Sequence, residues 1–232
     1  MENTVFAIDT RLLEDRETFD RCYKSIRPER RERVDRMRFD NGKRLCLGSG
    51  VVMEAALAHA GCQDREIMIT PQGKPTVEGC YFNLSDAGEI AVCAVSDREV
   101  GIDIERPRKL TEPLIQRAFT PAEIRDAEGD PDRFIRLWTI KESVMKWYGL
   151  GLALMPEHID VTMAGIPAAS ATPDGRAGDI RVAIAGGPVL ATSPEELRFT
   201  GFRYKDYQIT VCSTYEPFSE AITWVKAGDI SG

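Results

Sequence analysis

Apolar residues fall along this chain in two rhythms, short branched runs and longer stretches with helical spacing, which together predict an α+β protein. The run VFAI (5–8) reads as a first strand. A helix-rich region follows from about residue 14 to 60, with Pro28 suited to a first helical position and Gly61 to a stop after LAHA. Within it, LCLGSGVVMEAALAHA is apolar almost all round, the pattern of a buried helix. EIMITPQGKPTVEG reads as a strand and turns, and Tyr81–Leu84 and Glu89–Ser96 as a strand pair divided by the turn SDAG. VGIDIE (100–105) is a further strand. Its period of two puts Asp103 and Glu105 on one face and Ile102 and Ile104 on the other.

In the second half, LIQRAF predicts a helix, and Thr120, Pro121 and Glu123 supply an N-cap, an N1 proline and an acidic first turn. After the break EGDPD, FIRLWTIKESVMKWYG has helical spacing at Phe134, Leu137, Trp138 and Val144 and ends at Gly149. HIDVTM, DIRVAIA, LRFTGFRY and YQITVCST are strand candidates, and the Gly/Ala/Pro-rich stretch from Ala164 to Gly178 reads as a loop. Each half is therefore helices plus strands, which predicts two similar α/β lobes, residues 1–100 and 101–232. VFAID and VGIDI are a faint echo between them.

Composition narrows the class. With 232 residues, 43% hydrophobic and 29% charged, the chain reads as a soluble globular protein with room for a sizeable core. No apolar run approaches the roughly 18 residues a spanning helix needs, and MENTVFAIDTRLLEDR lacks the basic-then-apolar order of a signal peptide. The six cysteines are scattered without metal-ligand spacing, which predicts reduced thiols and a cytoplasmic protein. A net charge of −7 argues against nucleic acid as a general partner. The charge is uneven, however: from Arg27 to Arg44 the chain carries seven arginines and one lysine against four acids. Charge alone favours a solvated helix with pairs such as Glu29–Arg33 and Glu32–Arg36 over a phosphate-binding face.

Candidate chemistry starts with the two carboxylates of VGIDIE. Like charges that close repel, and each is costly to bury unpaired, so they ask for a cation. WTIKESVMKWYGLGL adds Glu142, flanked by Lys141 and Lys146; Glu142 and Lys146 are spaced as an i,i+4 pair on a helix. A surface ion pair is one reading. The other is a packed helix end where Asp103, Glu105 and Glu142 suit a hard cation such as Mg²⁺, and the lysines neutralise phosphate oxygens.

GIDIE (101–105), followed by WTIKESVMK (138–146), resembles the signature of 4′-phosphopantetheinyl transferases. The length, GKP (73–75) and FNLS (82–85) resemble the long, surfactin-synthetase-activating type. The resemblance runs from about residue 24 to 155. It implies two α/β lobes in one monomer, in a pseudo-twofold arrangement with the active site between them. It further implies transfer of the phosphopantetheine arm of coenzyme A to a serine of an apo acyl or peptidyl carrier protein, releasing adenosine 3′,5′-bisphosphate. Asp103, Glu105 and Glu142 fall on the family's magnesium positions and Lys146 on its pyrophosphate lysine, with Glu142 its candidate proton acceptor. Lys74 and Pro75 match the adenosine-pocket GKP. Arg30, Arg33 and Arg44 match cations around the 3′-phosphate, which tips the basic island towards phosphate binding, and Ser85 matches the serine beside that phosphate. The carrier is expected near Leu114–Glu123.

No Ser–His–Asp set is needed, because the nucleophile belongs to the partner; His59 and His158 read as structural. One position departs from the family: FNxSH usually ends in histidine, and here it is Asp86. A carboxylate beside a phosphate is repulsive. Asp86 caps its own turn, pairs with one of the three arginines, or weakens selection for the 3′-phosphate. Two rival functions use the same residues: a catalytically silent coenzyme A or carrier-binding module, and a Mg²⁺-dependent nucleotide pyrophosphate hydrolase with water as nucleophile.

Overall fold

In the computed structural model, which describes residues 1–163, 180–188 and 190–229, the branched run near the N-terminus forms β1 (Thr4–Asp9). Three helices follow: α1 (Arg16–Ser25), α2 (Pro28–Arg36, with Pro28 in its first turn) and the 20-residue α3 (Asp40–His59). A small hairpin, β2 (Ile67–Ile69) and β3 (Pro75–Val77), precedes a larger one, β4 (Tyr81–Ala87) and β5 (Ile90–Ser96). The second half repeats that order. Strand β6 (Val100–Glu105) leads to α4 (Glu112–Ala118), α5 (Pro121–Asp126) and the 18-residue α6 (Pro131–Tyr148). A small hairpin, β7 (Ile159–Met163) and β8 (Ile180–Ile184), again precedes a larger one, β9 (Arg198–Tyr204) and β10 (Tyr207–Ser213).

The two larger sheets share a wiring. Strand β1 pairs antiparallel with β5, the second strand of the β4–β5 hairpin; β6 pairs antiparallel with β10, the second strand of the β9–β10 hairpin. Alternation along each strand then builds three cores. Phe6, Ile8, Ala91, Cys93 and Val95 face Leu47, Val51 and other residues of α3. The opposite faces, with Val5, Ala7, Ile90, Val92 and Ala94 from one sheet and Val100, Ile102, Ile104, Ile209 and Val211 from the other, meet in a second core. Beyond the second sheet, Phe199 and Cys212 pack on Leu137, Ile140, Val144 and Trp147 of α6. Helices, sheet, sheet and helix thus form successive layers, and each fully buried Val, Leu or Ile contributes about 1.5–3 kcal/mol of transfer free energy.

The sheets also join edge to edge without a strand ladder. The amides of Ile102 and Ile104 on β6 donate to the side chains of Asn83 (3.1 Å) and Ser85 (3.4 Å) on β4. Side chains thereby satisfy buried backbone donors that would otherwise be costly. This is the structural content of FNLS.

Most expected elements form, with two differences. The turn expected at SDAG is shorter, because Ser85, Asp86 and Ala87 continue β4 in register with Val92, Ala91 and Ile90, leaving Gly88 and Glu89 to turn. The tail, expected to serve the second half throughout, returns to the first: β11 (Thr223–Trp224) pairs parallel with β1, and Asn3 bridges to Phe218. The loop expected from Ala164 to Gly178 lies outside the described residues. All six cysteines are buried and free.

The tightest contact is between β6 and α6. A Cβ built on Gly101 would sit 2.0 Å from the Ser143 carbonyl oxygen and 2.8 Å from the Trp147 amide nitrogen. Gly101→Ala therefore has to push α6 off β6, and we expect a loss of about 3 kcal/mol or more. Gly201→Ala on β9, whose new methyl would meet only the Ile209 carbonyl at 3.7 Å, serves as the tolerated control. Denaturant midpoints of the two variants check this; equal midpoints would contradict it.

Candidate active site

Because Gly101 lets α6 lie directly on β6, the residues of both elements mesh. Trp138, Glu142 and Lys146 are spaced at i, i+4 and i+8 and so share one stripe of α6. The helix runs antiparallel to β6, with Trp138 beside Glu105 at one end and Lys146 beside Asp103 at the other. The next stripe holds the helix down: Thr139 Oγ1 bonds Thr210 Oγ1 at 2.8 Å, and the Trp147 indole donates to the Glu99 carbonyl at 2.9 Å. Gly149, at φ +63°, ends the helix in the left-handed conformation glycine tolerates.

At the centre, Asp103 is buried. Its Oδ1 accepts from Lys146 Nζ (2.7 Å) and Ser85 Oγ (2.8 Å). The Ser85 hydroxyl is fully used, donating to Asp103 while accepting from Lys146 Nζ (2.8 Å) and the Ile104 amide. Of the two readings of this stretch, the surface Glu142–Lys146 pair gives way to a Lys146–Asp103 pair. Asp103 Oδ2 is buried with no hydrogen-bond partner among the described residues.

The electrostatics follow from this crowding. Burial pushes the Asp103 carboxyl above its ordinary range, against the pull of Lys146 and Ser85. Burial also raises Glu105, as does the charge of Asp103, while the Trp138 indole N–H and Arg108 draw it down. Glu142 is raised by burial, then by Asp103 and Glu105. Three carboxylates therefore share one poorly solvated space and repel one another. As they stand, no three His, Cys, Asp or Glu side chains among the described residues are close enough together to ligate one metal ion. An orphaned buried oxygen and mutually repelling carboxylates nevertheless fit a divalent cation, since each lacks what a cation supplies.

The other side of β4 carries the basic island. Alternation turns Ser85 towards Asp103 and Asp86 towards the helices, where its carboxylate accepts from Ser49 Oγ of α3 at 3.2 Å. Asp86 also lies within electrostatic reach of Arg30, which hydrogen-bonds Cys46; burial and then Arg33 hold the Arg30 guanidinium below its ordinary value. With Asp86 inside β4, it is not the cap of a turn. Arg30 and Arg33 line a cavity of about 560 Å³ with Arg27, Ile67, Gly73 and Pro75, between α2 and the β2–β3 hairpin. Lys74 points elsewhere, to Glu99 (2.6 Å) and the Trp147 carbonyl (2.9 Å), and ties the hairpin to the end of α6. Arg44 lines a different hollow, 3.6 Å from Glu14. Of the two expected ion pairs on α2, Glu32–Arg36 forms at 3.0 Å. His59 stacks obliquely on Phe6, and His158 Nδ1 accepts from the Met155 amide.

Sequence reasoning missed four contributors. Asn83 sits in FNLS but shows its purpose only when β6 is alongside. Gly101 shows its purpose only when α6 is. Arg27 fixes α2 to the loop before the hairpin by donating to the Gln63 and Arg65 carbonyls at 2.6 and 2.7 Å. Trp138 is placed in the sequence by helical spacing alone, and its indole N–H serves Glu105.

The model of the 4′-phosphopantetheinyl transferase superfamily matches residues 99–212, which span β6, α6 and β10. A 4′-phosphopantetheinyl transferase of Bacillus subtilis is 31% identical over 155 residues, covering 62% of this chain and 69% of that protein. The 4′-phosphopantetheinyl transferase Sfp of the same species is 28% identical over the same coverage. The L-aminoadipate-semialdehyde dehydrogenase-phosphopantetheinyl transferase of Xenopus laevis is 29% identical over 171 residues, covering 62% of this chain and 56% of that protein.

A carboxyl whose folded form holds its proton more tightly than the unfolded form favours folding at low pH. That contribution is lost as pH rises through the folded value. Stability without divalent cations should therefore fall as pH climbs out of the ordinary carboxylate range. Glu142→Gln should soften that fall and stabilise the protein by about 0.5–2 kcal/mol at neutral pH. Melting curves in chelator from about pH 4 to about pH 8 read the difference between the two proteins; a difference that does not grow with pH would remove Glu142 from the repelling set.

Proposed function

We infer the mechanism from one premise: the chain belongs to the 4′-phosphopantetheinyl transferase superfamily, in its long, surfactin-synthetase-activating type. It is a 4′-phosphopantetheinyl transferase. It transfers the phosphopantetheine arm of coenzyme A to a serine hydroxyl of an apo carrier protein, releasing adenosine 3′,5′-bisphosphate. The observation that carries the site reading is the meshing of Glu142 and Lys146 with Asp103 and Glu105 across the Gly101 contact.

Asp103, Glu105 and Glu142 would hold Mg²⁺, which when bound supplies positive charge to the pyrophosphate and its leaving group. Lys146, held on Asp103 and partly exposed, has a further N–H to offer the pyrophosphate and neutralises charge building on the leaving bisphosphate. Glu142, on the stripe of α6 that faces Asp103 and Glu105, takes the proton of the carrier's serine directly or through water. The cavity of Arg30, Arg33 and Pro75 receives the adenosine end, with the arginines facing the 3′-phosphate; Lys74 and Ser85 brace the pocket and the carboxylate centre, respectively, and Arg44 adds long-range positive potential. Asp86 offsets part of the Arg30 charge. The repeated order of elements supports two lobes related by a pseudo-twofold, divided near residue 100, with the tail lending β11 back to the first and the site where they meet. The carrier docks near Leu114–Glu123, and we take the working form to be a cytoplasmic monomer. No helix among the described residues is long and apolar enough to cross a membrane.

Intact-mass measurement of an apo carrier incubated with coenzyme A and Mg²⁺ tests this. We expect a gain of one phosphopantetheine arm, lost almost completely in Asp103→Ala with the fold retained. No gain on any of several carriers would point to a silent binding module, and coenzyme A hydrolysis without a carrier to a hydrolase. Full activity of Asp103→Ala would refute the site.

A further inference from the structure

A second charged centre lies on α6, away from the stripe that faces β6. Lys141 is completely buried. Its Nζ donates to Glu123 Oε2 (2.7 Å), the Ala118 carbonyl (2.8 Å) and the Pro156 carbonyl (3.1 Å). Those three acceptors saturate an ammonium. Glu123, also buried, accepts in turn from the Thr120 amide and the Val161 amide, both at 2.7 Å. The pair therefore ties together the end of α4, the first turn of α5, the middle of α6, the 3₁₀ turn at Pro156 and the middle of β7.

Such a pair is an uneconomical way to stabilise a fold. Desolvating two ions costs several kcal/mol each, and apolar replacements of similar volume are often as stable. What it supplies is a fixed direction: five hydrogen bonds with specified geometry, where an apolar core would let a helix roll or slide. Its place in the sequence gives that direction a consequence, because Lys141 is the residue before Glu142. It also sits 5.3 Å from the Phe119 ring centroid, and Phe119 contacts Trp138, the residue that serves Glu105. From the hub, one backbone step leads to Glu142, and two ring contacts lead to Trp138, whose indole N–H serves Glu105.

We propose that Lys141 and Glu123 are positioning residues of the transfer site, fixing the roll of α6 so that Glu142 and the Trp138–Glu105 pair face the space beside Asp103. This rests on the assignment of those carboxylates as the cation-binding and transfer centre. Lys141 touches neither substrate nor cation; it acts through its neighbours.

The single variant Lys141→Met strands a buried Glu123 carboxylate and is expected to fold poorly, so it cannot decide the matter. The pair Lys141→Met with Glu123→Gln removes both charges while the glutamine carbonyl still accepts a backbone amide. We expect it to fold with near wild-type cooperativity. Its kcat should fall about 10- to 100-fold, as small misplacements of catalytic groups commonly cost. The KM for coenzyme A, whose adenosine end is held by α2 and the β2–β3 hairpin, should stay within about twofold. Calorimetric titration of Mn²⁺ without carrier gives a second readout: cation affinity should weaken about tenfold or more. A folded double variant with wild-type kcat and wild-type Mn²⁺ affinity would overturn the proposal and leave the pair a scaffold element. If wild type itself fails to load a carrier, the assigned reaction falls, while the Mn²⁺ titration of wild type against the double variant still decides the positioning role.

Discussion

The approach of α6 to β6 over Gly101 is the contact on which the rest depends. A single methyl there would collide with the backbone of Ser143. With that methyl the helix could not lie close enough for Lys146 to reach Asp103 or for Trp138 to reach Glu105. The charge arrangement of the site depends on that spacing. The side-chain stitching of Asn83 and Ser85 to β6 adds the first sheet to the same assembly, so that Ser85 completes the centre from the opposite edge.

That assembly trades stability for poise. Three carboxylates with raised affinity for protons, one of them bearing an oxygen with no partner among the described residues, form an expensive arrangement in the free protein. A folded chain tolerates it when rigid surroundings prevent relaxation. Here the rigidity has named sources: the Thr139–Thr210 bond, the Trp147 anchor on Glu99, the Lys74 tie, and the buried Lys141–Glu123 pair. Preorganisation of this kind is what electrostatic catalysis needs, because groups already aimed at developing charge cost nothing to reorient. The same logic separates the two ends of coenzyme A. In the proposed site the adenosine end would meet arginines on α2, whose charge acts over distance, and the reacting end a tightly bonded centre.

Much of this was legible in the residues. Alternation in VGIDIE put Asp103 and Glu105 on one face, and the helical spacing of WTIKESVMK put Glu142 and Lys146 on another, so the two halves of the centre could be read before they were joined. What could not be read was what each partner would choose. Lys146 takes Asp103 rather than the nearer-in-sequence Glu142, because α6 runs antiparallel to β6, and only packing fixes that. SDAG looked like a turn by composition, but Ser85 and Asp86 stay in β4 because each has a bonding partner on its own side of the sheet. The family resemblance puts Lys74 in the adenosine pocket and Arg44 beside the 3′-phosphate. Both are engaged elsewhere, since a long cationic side chain goes to whichever carboxylate lies within reach. Lys141 was read only as a flanking charge, and nothing local in the chain announces Glu123, eighteen positions earlier, as its partner.

The central claim is that Asp103, Glu105 and Glu142 converge on one divalent cation beside the pyrophosphate of coenzyme A. Crystals grown with coenzyme A and Mn²⁺ test it most directly, through the anomalous signal of the metal. The account predicts one peak within ligating distance of Asp103 Oδ2 and of the Glu105 and Glu142 carboxylates. A bound coenzyme A with the metal elsewhere, or with these three carboxylates still apart, would contradict it.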